Sequence, residues 1–262
     1  MSSSSPYEAT IWGYLVAMLG NEYAAAGIMG WWGVRPNEGE SGMFPQRCEG
    51  DFVYRGGTFP KSDTITARIN AGRGTEDGKI GFSGAGVSTS DPRYRATWWV
   101  GENRYGPGYG LAQWTGSGRK GDMWDFWNTS HWDGVSIADP YFQCFYCVRD
   151  MRNNYGACYR AMISASSVEY AMYQFGYWYE TGGNAAWTSS IVASRLAGGL
   201  EIYNRYTGTA PVNPDPEIPI DPDPEPPPWE GGERLPAWIL HKKEVNNPNV
   251  KRFYRARHTR EL

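Results

Sequence analysis

Two carboxylates, Glu38 and Glu40, stand one residue apart in the stretch EGESGMFP, shortly after the apolar run AAAGIMGWWGV. Apolar surroundings disfavour the charged form of a carboxyl group and raise its pKa. An acid that stays protonated near neutral pH can give its proton to the leaving group of a bond under cleavage. We therefore predict a general acid in this stretch. Glu40 is the first candidate because Ser41-Gly42 follows it, and Glu38 is its competitor.

A second chemical motif follows some seventy residues later, in the glycine-rich run YGPGYGLAQWTGSGRK. Tyr109 and Trp114 have flat apolar faces with a polar edge, and Gln113 has an amide for hydrogen bonds. The glycines on either side of Tyr109 allow the backbone to come close to a bound chain. Such faces suit carbohydrate rings, so these three side chains are the predicted substrate-binding residues.

Helical periodicity surrounds both motifs. A capping box from Ser5 to Glu8, with proline at the first helical position, predicts a helix over about 6–19. Asn21 is predicted to cap a second helix, whose small residues would let helices pack closely. Periodicity returns over about 117–207. Helix starts are predicted there at Asp139-Pro140, at a capping box from Ser166 to Glu169, and at Thr188 or Ser189.

The segment from about 49 to 108 has a different composition, rich in Gly, Ser, Asp and Arg with short β-like pieces such as DFVYRG and RATWWV. We expect a long, irregular and partly hairpin insertion here. Long connections of this kind are often functional, and the wall of a cleft is the role we expect. The predicted fold class is mostly α, or α+β when the insertion is counted.

Charge divides the rest of the chain. Residues 211–228 alternate proline with five acids, which predicts an extended linker, whereas 229–262 carry eight Lys/Arg against four acids. That short basic segment is predicted to dock on a partner, and 1–210 form the predicted main domain. The domain is nearly neutral, which argues against a nucleic-acid footprint. The first twenty residues lack the pattern of a signal peptide or a membrane span, so synthesis without export and no membrane insertion are expected.

Four cysteines are too few for a disulfide scaffold in a chain of 262 residues. Cys144, Cys147 and Cys158 have the spacing of half a zinc site, with Cys48 as the fourth ligand that would be needed. A zinc site and a disulfide through Cys48 both stay open at this point. Buried apolar thiols are the preferred interpretation, and no metal or other cofactor is expected.

The order of these motifs resembles the phage tail lysozyme family, whose members cleave peptidoglycan. The resemblance rests on AAGIMG, ESGMFPQRC with EGDF, YGPGYGLAQWTGSGRK and FGYWYE, and it covers about residues 7–207. The order of Glu-Ser and Gly-Leu-x-Gln is also similar to goose-type lysozymes and soluble lytic transglycosylases. Residues 31–39 intervene where family members run directly from helix to Glu-Ser, which keeps Glu38 as an alternative to Glu40.

The resemblance implies a lysozyme-like helical domain in the tail of a phage particle. It implies glycosidase activity on the bond between MurNAc and GlcNAc, as a muramidase or a lytic transglycosylase. Glu40 would be the catalytic acid, and Asp51 and Glu180 are the candidates for a second carboxylate. Peptidoglycan would be the substrate, and other tail proteins would bind the linker and the basic segment. The expected role is local opening of the host cell wall as the phage genome enters.

Two other classes of function remain open from the sequence. An amidase or endopeptidase needs a zinc site or a Cys–His pair, and only His131 lies in the main domain, since His241 and His258 belong to the basic segment. A structural or wall-binding tail protein that kept the shape without the activity is the non-enzymatic alternative. A free endolysin, released for lysis, shares the chemistry of the main hypothesis.

Overall fold

Helices make up most of the part of the chain that the computed structural model describes, which comprises residues 5–33, 41–49, 60–84 and 108–208. Glu38, Glu40, Asp51, the linker 211–228 and the basic segment 229–262 lie outside these residues. The prediction of a mostly α fold is confirmed. In the described ranges the β-type pairing is limited to two isolated bridges, both at Tyr109.

Nine α-helices occur within the described ranges, together with one 3-10 turn and one π-helical turn. The helices are α1 Glu8–Leu19, α2 Glu22–Trp32, α3 Pro60–Ala71, α4 Glu76–Ser83, α5 Ser117–Trp127, α6 Pro140–Asn154, α7 Gly156–Ile163, α8 Val168–Phe175 and α9 Ala185–Thr207. The 3-10 turn is Ser130–Trp132, and the π-helical turn is Gly176–Glu180. None of these helices combines the length and the apolar character needed to cross a bilayer.

The part of the expected insertion that the structure describes, 60–84, forms the two helices α3 and α4, whereas the β-like pieces DFVYRG and RATWWV lie outside the described residues. Thr75 caps α4 by accepting a hydrogen bond from the Gly78 amide at 2.9 Å. Ile65 and Ile69 lie one helical turn apart on α3 and are buried, as is Phe82 on α4. Two buried positions four residues apart are enough to fix a short helix against a core, although the segment is polar overall.

The predicted helix starts agree with the structure at α2 and α6 and differ from it by one to a few residues at α1, α8 and α9. Asn21 and Asp139 cap α2 and α6 as predicted. The cap of α8 is Ser167 rather than Ser166, and Asn184 starts α9 a few residues before the predicted site. The Ser5–Glu8 capping box does not form, because Ser5 Oγ donates to the Met43 carbonyl at 2.7 Å and Glu8 pairs with Arg205 of α9.

Helix α2 is the centre of the core. Its residues from Ala24 to Trp32 are all buried, and it packs against α1, α8 and α9. The close approach comes from small residues, as predicted: a Cβ added at Gly30 would lie 2.8 Å from Gly199 Cα, and one added at Gly27 would lie 2.5 Å from Ala171 Cβ. The position of the α2 C-terminus is therefore set by backbone-to-backbone packing.

A methyl group at Gly30 should destabilise the domain, because the neighbouring atom is backbone and cannot rotate away. We expect Gly30→Ala to lower the free energy of unfolding by about 1–3 kcal/mol, as overpacked cores do. The matched control is Gly118→Ala on α5, where an added Cβ meets nothing within 4 Å. That change should be neutral or stabilising by up to about 1 kcal/mol. Urea denaturation of both variants measures the difference, and equal stabilities would contradict the packing argument.

Candidate active site

The two predicted motifs meet in space. The loop 41–49, which follows Glu40, runs beside the loop 108–116, and we call this pair of loops the junction. The Gly110 amide donates to the Arg47 carbonyl at 2.9 Å, and the Glu49 amide donates to the Gly108 carbonyl at 2.8 Å. The Glu49 carboxylate also accepts from the Gly108 amide at 2.8 Å. Residues some sixty positions apart in sequence thus form one continuous hydrogen-bonded unit.

Gln143 of α6 ties both loops of the junction to the helical body. Its side-chain oxygen accepts from the Leu111 amide at 2.8 Å. Its side-chain nitrogen donates to the carbonyls of Pro45 at 2.7 Å and Ile137 at 2.8 Å. The side chain is fully buried. Each of these backbone groups would otherwise lie away from water without a partner, which is costly.

The residue after Glu40 is anchored at the C-terminal end of α2. The amides of Ser41 and Gly42 both donate to the Trp32 carbonyl, at 3.2 Å and 2.9 Å. The chain therefore leaves α2 at Gly33 and returns to the same helix end at Ser41. Ser41 and Gly42 are therefore anchored at the end of the helix that precedes Glu40 in the sequence.

Tyr109 and Trp114 are both fully buried at the centre of the junction. The Tyr109 hydroxyl lies 2.6 Å from Thr66 Oγ1, and its ring packs edge-on to Phe82. Burial raises the pKa of Tyr109 well above its usual value, against the effect of the Thr66 hydrogen bond. The contacts observed for these rings are therefore internal ones. Their stacking on a sugar stays a prediction.

Gln113 is partly exposed and helps to close the junction. Its side-chain nitrogen donates to the Arg47 carbonyl at 3.0 Å and to the Gly110 carbonyl at 2.8 Å. Its backbone has a φ of 44°, in the left-handed region, and such strained positions persist where the surroundings fix them. The side chain lies at the surface of the unit that joins the two motifs, which is compatible with its predicted role in binding substrate.

Trp114 connects the junction to the third motif, FGYWYE. The Trp114 indole donates to the Tyr179 hydroxyl at 2.9 Å, and that hydroxyl donates to Asp150 Oδ2 at 2.9 Å. Tyr179 and Glu180 end the π-helical turn, which Gly176 begins beneath the Trp31 ring. A Cβ at Gly176 would lie 2.2 Å from that ring. The π-helical turn is a feature often found at functional sites, and here it places Glu180 next to the residue that contacts Trp114.

A charged cluster lies around Tyr179. The Arg119 guanidinium is 4.3 Å from the Tyr179 ring centroid, and its Nη2 is 4.0 Å from Asp150 Oδ2. Burial alone would lower the pKa of Arg119, but the nearby Tyr179, Glu180, Tyr155 and Asp150 outweigh it and raise the pKa above its usual value. The Oε1 of Glu180, the residue that follows Tyr179, is inaccessible to solvent.

Lys120, the residue after Arg119, is also buried. Its ammonium lies 5.8 Å from the Phe82 ring centroid. Burial lowers its pKa to about 8, and the nearby Cys48 and Glu49 oppose this shift. The two basic residues at the end of the motif GSGRK therefore have different surroundings. The Arg119 side chain lies in the Tyr179 cluster, and the Lys120 side chain lies next to the junction.

The four cysteines form no disulfide, and all of them are buried. Burial raises the pKa of Cys144 and of Cys147 well above the usual value, which is the environment of an unreactive structural thiol. Cys158 lies 3.6 Å from the Met151 sulfur. His131 packs against Trp132 in the 3-10 turn. Across the described ranges, the carboxylates, histidines and cysteines form no group of three or more that could hold a metal ion.

Several residues of the site escaped the sequence interpretation, chiefly Gln143, Asp150 and Tyr179. Gln143 and Asp150 are seven positions apart, two helical turns, so they lie on one face of α6 among buried residues. A signal was present, since two polar residues interrupt an otherwise apolar stripe at helical spacing. Buried polar groups at such positions have partners, and here the partners are the junction and Tyr179.

The structure defines a class of protein: a helical domain in which two loops far apart in sequence are hydrogen-bonded to each other. One loop follows an acidic residue, the other is rich in glycine, and a buried charged cluster lies next to them. The family model for phage tail lysozymes matches residues 7–206. The chain therefore belongs to the phage tail lysozyme family. Membership indicates a lysozyme-like peptidoglycan hydrolase of phage tails. No curated protein and no solved structure matches the sequence.

Replacing Gln143 by leucine should separate the junction from α6. We expect Gln143→Leu to lower the free energy of unfolding by about 3 kcal/mol or more, because three buried backbone groups lose their partner. The matched control is Gln174→Leu, which removes a single exposed hydrogen bond to Trp178 and should cost less than about 1 kcal/mol. Urea denaturation gives both values. A loss of equal size in the two variants would contradict the role assigned to Gln143.

Lys120 should make stability depend on pH. Its pKa is about 8 in the folded protein and about 10.4 in an unfolded chain. Between these values the unfolded state binds more protons, so stability rises with pH. Between pH 7 and pH 10, we expect the free energy of unfolding to increase by about 2 kcal/mol more in the wild type than in Lys120→Met.

The buried tyrosines and cysteines also contribute to the pH dependence of stability. Their contributions cancel in the comparison, because these groups titrate in both the wild type and Lys120→Met. Lys79→Met is the control, since Lys79 is partly exposed and pairs with Asp125 at the surface; this variant should follow the wild type. Urea denaturation at the two pH values measures all three proteins. Parallel curves for wild type and Lys120→Met would show that burial does not depress the pKa of this lysine.

Proposed function

We propose that the protein cleaves the glycan strand of peptidoglycan at the bond between MurNAc and GlcNAc, as a muramidase or a lytic transglycosylase. Glu40 is the proposed general acid. The observation that supports this proposal most is the arrangement of the loop 41–49, which follows Glu40. The Ser41-Gly42 end of this loop is hydrogen-bonded to the C-terminus of α2, and its other end is hydrogen-bonded to the loop 108–116, which contains the Gly-Leu-Ala-Gln-Trp motif. A glycosidase needs an acid and a sugar-binding surface side by side, and the proximity of the two loops supports assigning these roles to Glu40 and to the glycine-rich loop.

The end of α2 is a favourable place for a proton donor. The C-terminus of a helix carries a partial negative charge, which disfavours an ionised carboxylate nearby and so favours the protonated acid. Buried apolar side chains surround the anchor, among them Trp32, Met43 and Phe44. Glu40 is covalently next to Ser41, whose amide is bonded to this helix end. Glu38 is three residues from the anchor and is the weaker candidate.

The second carboxylate separates the reaction types. An inverting hydrolase holds its base about 6.5–9.5 Å from the acid, and a retaining one holds its nucleophile at about 5–5.5 Å. Asp51 and Glu180 are the candidates, and the contacts of Tyr179 with Trp114 and Asp150 favour Glu180. A lytic transglycosylase would instead use the hydroxyl of its own substrate, and then a single acid is enough.

Substrate binding is proposed at the exposed side of the junction. Gln113 is partly exposed there, whereas the Tyr109 and Trp114 side chains are fully buried. The rings of Tyr109 and Trp114 would then keep the two loops rigid. Either ring would contact a sugar only if one of its faces became accessible to solvent. Rigid support of this kind reduces the entropy that binding costs.

The proposed setting is the tail of a phage particle, where the enzyme locally opens the host wall as the genome enters. The linker 211–228 would act as a spacer, and 229–262 would dock on other tail proteins. No nucleic acid and no membrane insertion are proposed. Detection of the protein in purified particles supports this setting over a free endolysin, which would be found only in the lysate.

Glu40→Gln should abolish cleavage while leaving the fold intact. We expect the rate on purified cell walls to fall by about 10²–10⁴, the range that general acid catalysis contributes. Glu38→Gln is the matched control and should retain most of the activity. Mass analysis of the fragments distinguishes hydrolysis from anhydro-sugar formation. Full activity of Glu40→Gln would overturn the assignment, and tight binding to walls without turnover by the wild type would identify a non-enzymatic tail protein.

A further inference from the structure

One face of α6 carries three polar side chains that hold the glycine-rich loop and the first turn of α5. Gln143, Tyr146 and Asp150 are spaced three and four residues apart, so they lie on the same side of the helix. Gln143 accepts a hydrogen bond from the Leu111 amide at 2.8 Å, and the Tyr146 hydroxyl donates to the Arg119 carbonyl at 3.1 Å. Asp150 reaches the loop through one further residue.

That further residue is Tyr179, which links Asp150 to the Trp114 indole. The indole Nε1 of Trp114 donates to the Tyr179 hydroxyl at 2.9 Å, and this hydroxyl donates to Asp150 Oδ2 at 2.9 Å. An indole N–H can only donate and an ionised carboxylate can only accept, so the order of donors suits all three groups. Burial, reinforced by Asp150, raises the pKa of Tyr179 well above its usual value, so the hydroxyl keeps the proton that it donates.

The far end of this hydrogen-bonded chain is fixed as well. Asp150 is buried, and its second oxygen, Oδ1, accepts from the Asn154 side-chain amide at 2.7 Å. Arg119 lies beside the chain, with Nη2 at 4.0 Å from Asp150 Oδ2 and the guanidinium at 4.3 Å from the Tyr179 ring centroid. Because Trp114 and Tyr179 are also buried, a donor that lost its acceptor here would stay without a partner, which is costly.

The chain ends at the residue that follows Gln113. The Trp114 amide donates to the Tyr109 carbonyl at 3.0 Å, and the Tyr109 amide donates to the Trp114 carbonyl at 3.2 Å. Gln113 has a φ of 44°, and a residue other than glycine keeps such a conformation only where its surroundings fix it. Trp114, held by Tyr179, constrains Gln113 on one side. On the other side, the Gly110 carbonyl accepts from the Gln113 amide at 3.1 Å and from its side chain at 2.8 Å.

We propose that Tyr179 and Asp150 are positioning residues for substrate binding, which hold Gln113 in its strained backbone conformation at the exposed side of the junction. Neither residue would contact the glycan, and both would act through the Trp114 indole. The role of Gln113 in binding rests on the proposed function, whereas the hydrogen-bonded chain from Trp114 to Asp150 does not. The buried Trp114 side chain thereby has a role in binding that requires no contact with a sugar.

The chain is tested first by a measurement that does not depend on activity, nitrogen-15 NMR of the indole groups in the full-length protein. In Tyr179→Phe the Trp114 indole loses its acceptor, so its proton signal should move upfield and exchange with solvent at least several-fold faster. Trp114→Phe identifies the signal. The matched control is Tyr173→Phe, which removes a hydroxyl from a partly exposed tyrosine of α8 and should leave the signal unchanged. An unchanged Trp114 signal in Tyr179→Phe would overturn the proposal.

The second arm measures kcat and KM on purified cell walls. Since Glu40, the proposed acid, is untouched, Tyr179→Phe should raise KM about fivefold or more, which corresponds to the loss of one hydrogen bond, and change kcat less than about twofold. Such a split is the mark of lost binding. A purely structural role would reduce the folded fraction and lower kcat at unchanged KM, and that result would contradict the positioning role. An inactive wild type whose Trp114 signal responds as expected would overturn the proposed function and support the hydrogen-bonded chain.

Asp150→Asn tests the other end of the chain. An asparagine oxygen can still accept from Tyr179, but the hydrogen bond is no longer charge-assisted and is weaker. The Trp114 signal and KM should therefore change in the same directions as in Tyr179→Phe, and by less. This variant also decides the matter if Tyr179→Phe does not fold, because a Trp114 signal and a KM equal to those of the wild type would show that Asp150 does not position the loop.

Discussion

The candidate site depends on one constraint: two loops without strand structure must be held rigidly beside each other. A sheet would do this with a ladder of backbone hydrogen bonds, but this domain has only two bridges at Tyr109 within its described ranges. Gln143 supplies what the ladder would have supplied, with three hydrogen bonds to three separate parts of the backbone. Because the glutamine is on the long helix α6, the junction inherits the rigidity of the helical body.

Much of the fold follows from local patterns that the sequence states directly. Apolar residues at helical spacing and cap residues such as Asn21 and Asp139 predict α1, α2 and α6 correctly, since each helix buries a face that its own sequence marks. The helices α3 and α4 were missed because their buried positions are few and their composition is that of a loop. The cap of α8 was misplaced by one residue because Ser166 and Ser167 have the same side chain, and the local sequence does not distinguish them.

The sequence motifs of the site could be predicted, but the long-range contacts that join them could not. Adjacent motifs can be recognised from residues that lie next to one another, as in Glu-Ser-Gly or Gly-Leu-Ala-Gln-Trp. Contacts between Trp114 and Tyr179, or between Gln143 and Pro45, join positions 65 and 98 apart, and no local pattern encodes such pairs. Burial likewise depends on the whole fold, which is why aromatic rings assigned to substrate binding prove to be fully covered.

Burying charge beneath a site is unfavourable, and the domain does so twice in consecutive residues. Lys120 carries a depressed pKa, whereas the anionic and phenolic neighbours of Arg119 offset its loss of solvation. An interior built only for stability would place apolar side chains at both positions. Lys120 lies next to the junction, and Arg119 lies over the ring of Tyr179, whose hydroxyl accepts from Trp114 of the junction. In the proposed reaction the general acid must stay protonated near neutral pH, and apolar or negatively charged surroundings favour that form. The C-terminus of α2 at the Ser41 anchor, with Trp32, Met43 and Phe44 buried around it, provides surroundings of this kind.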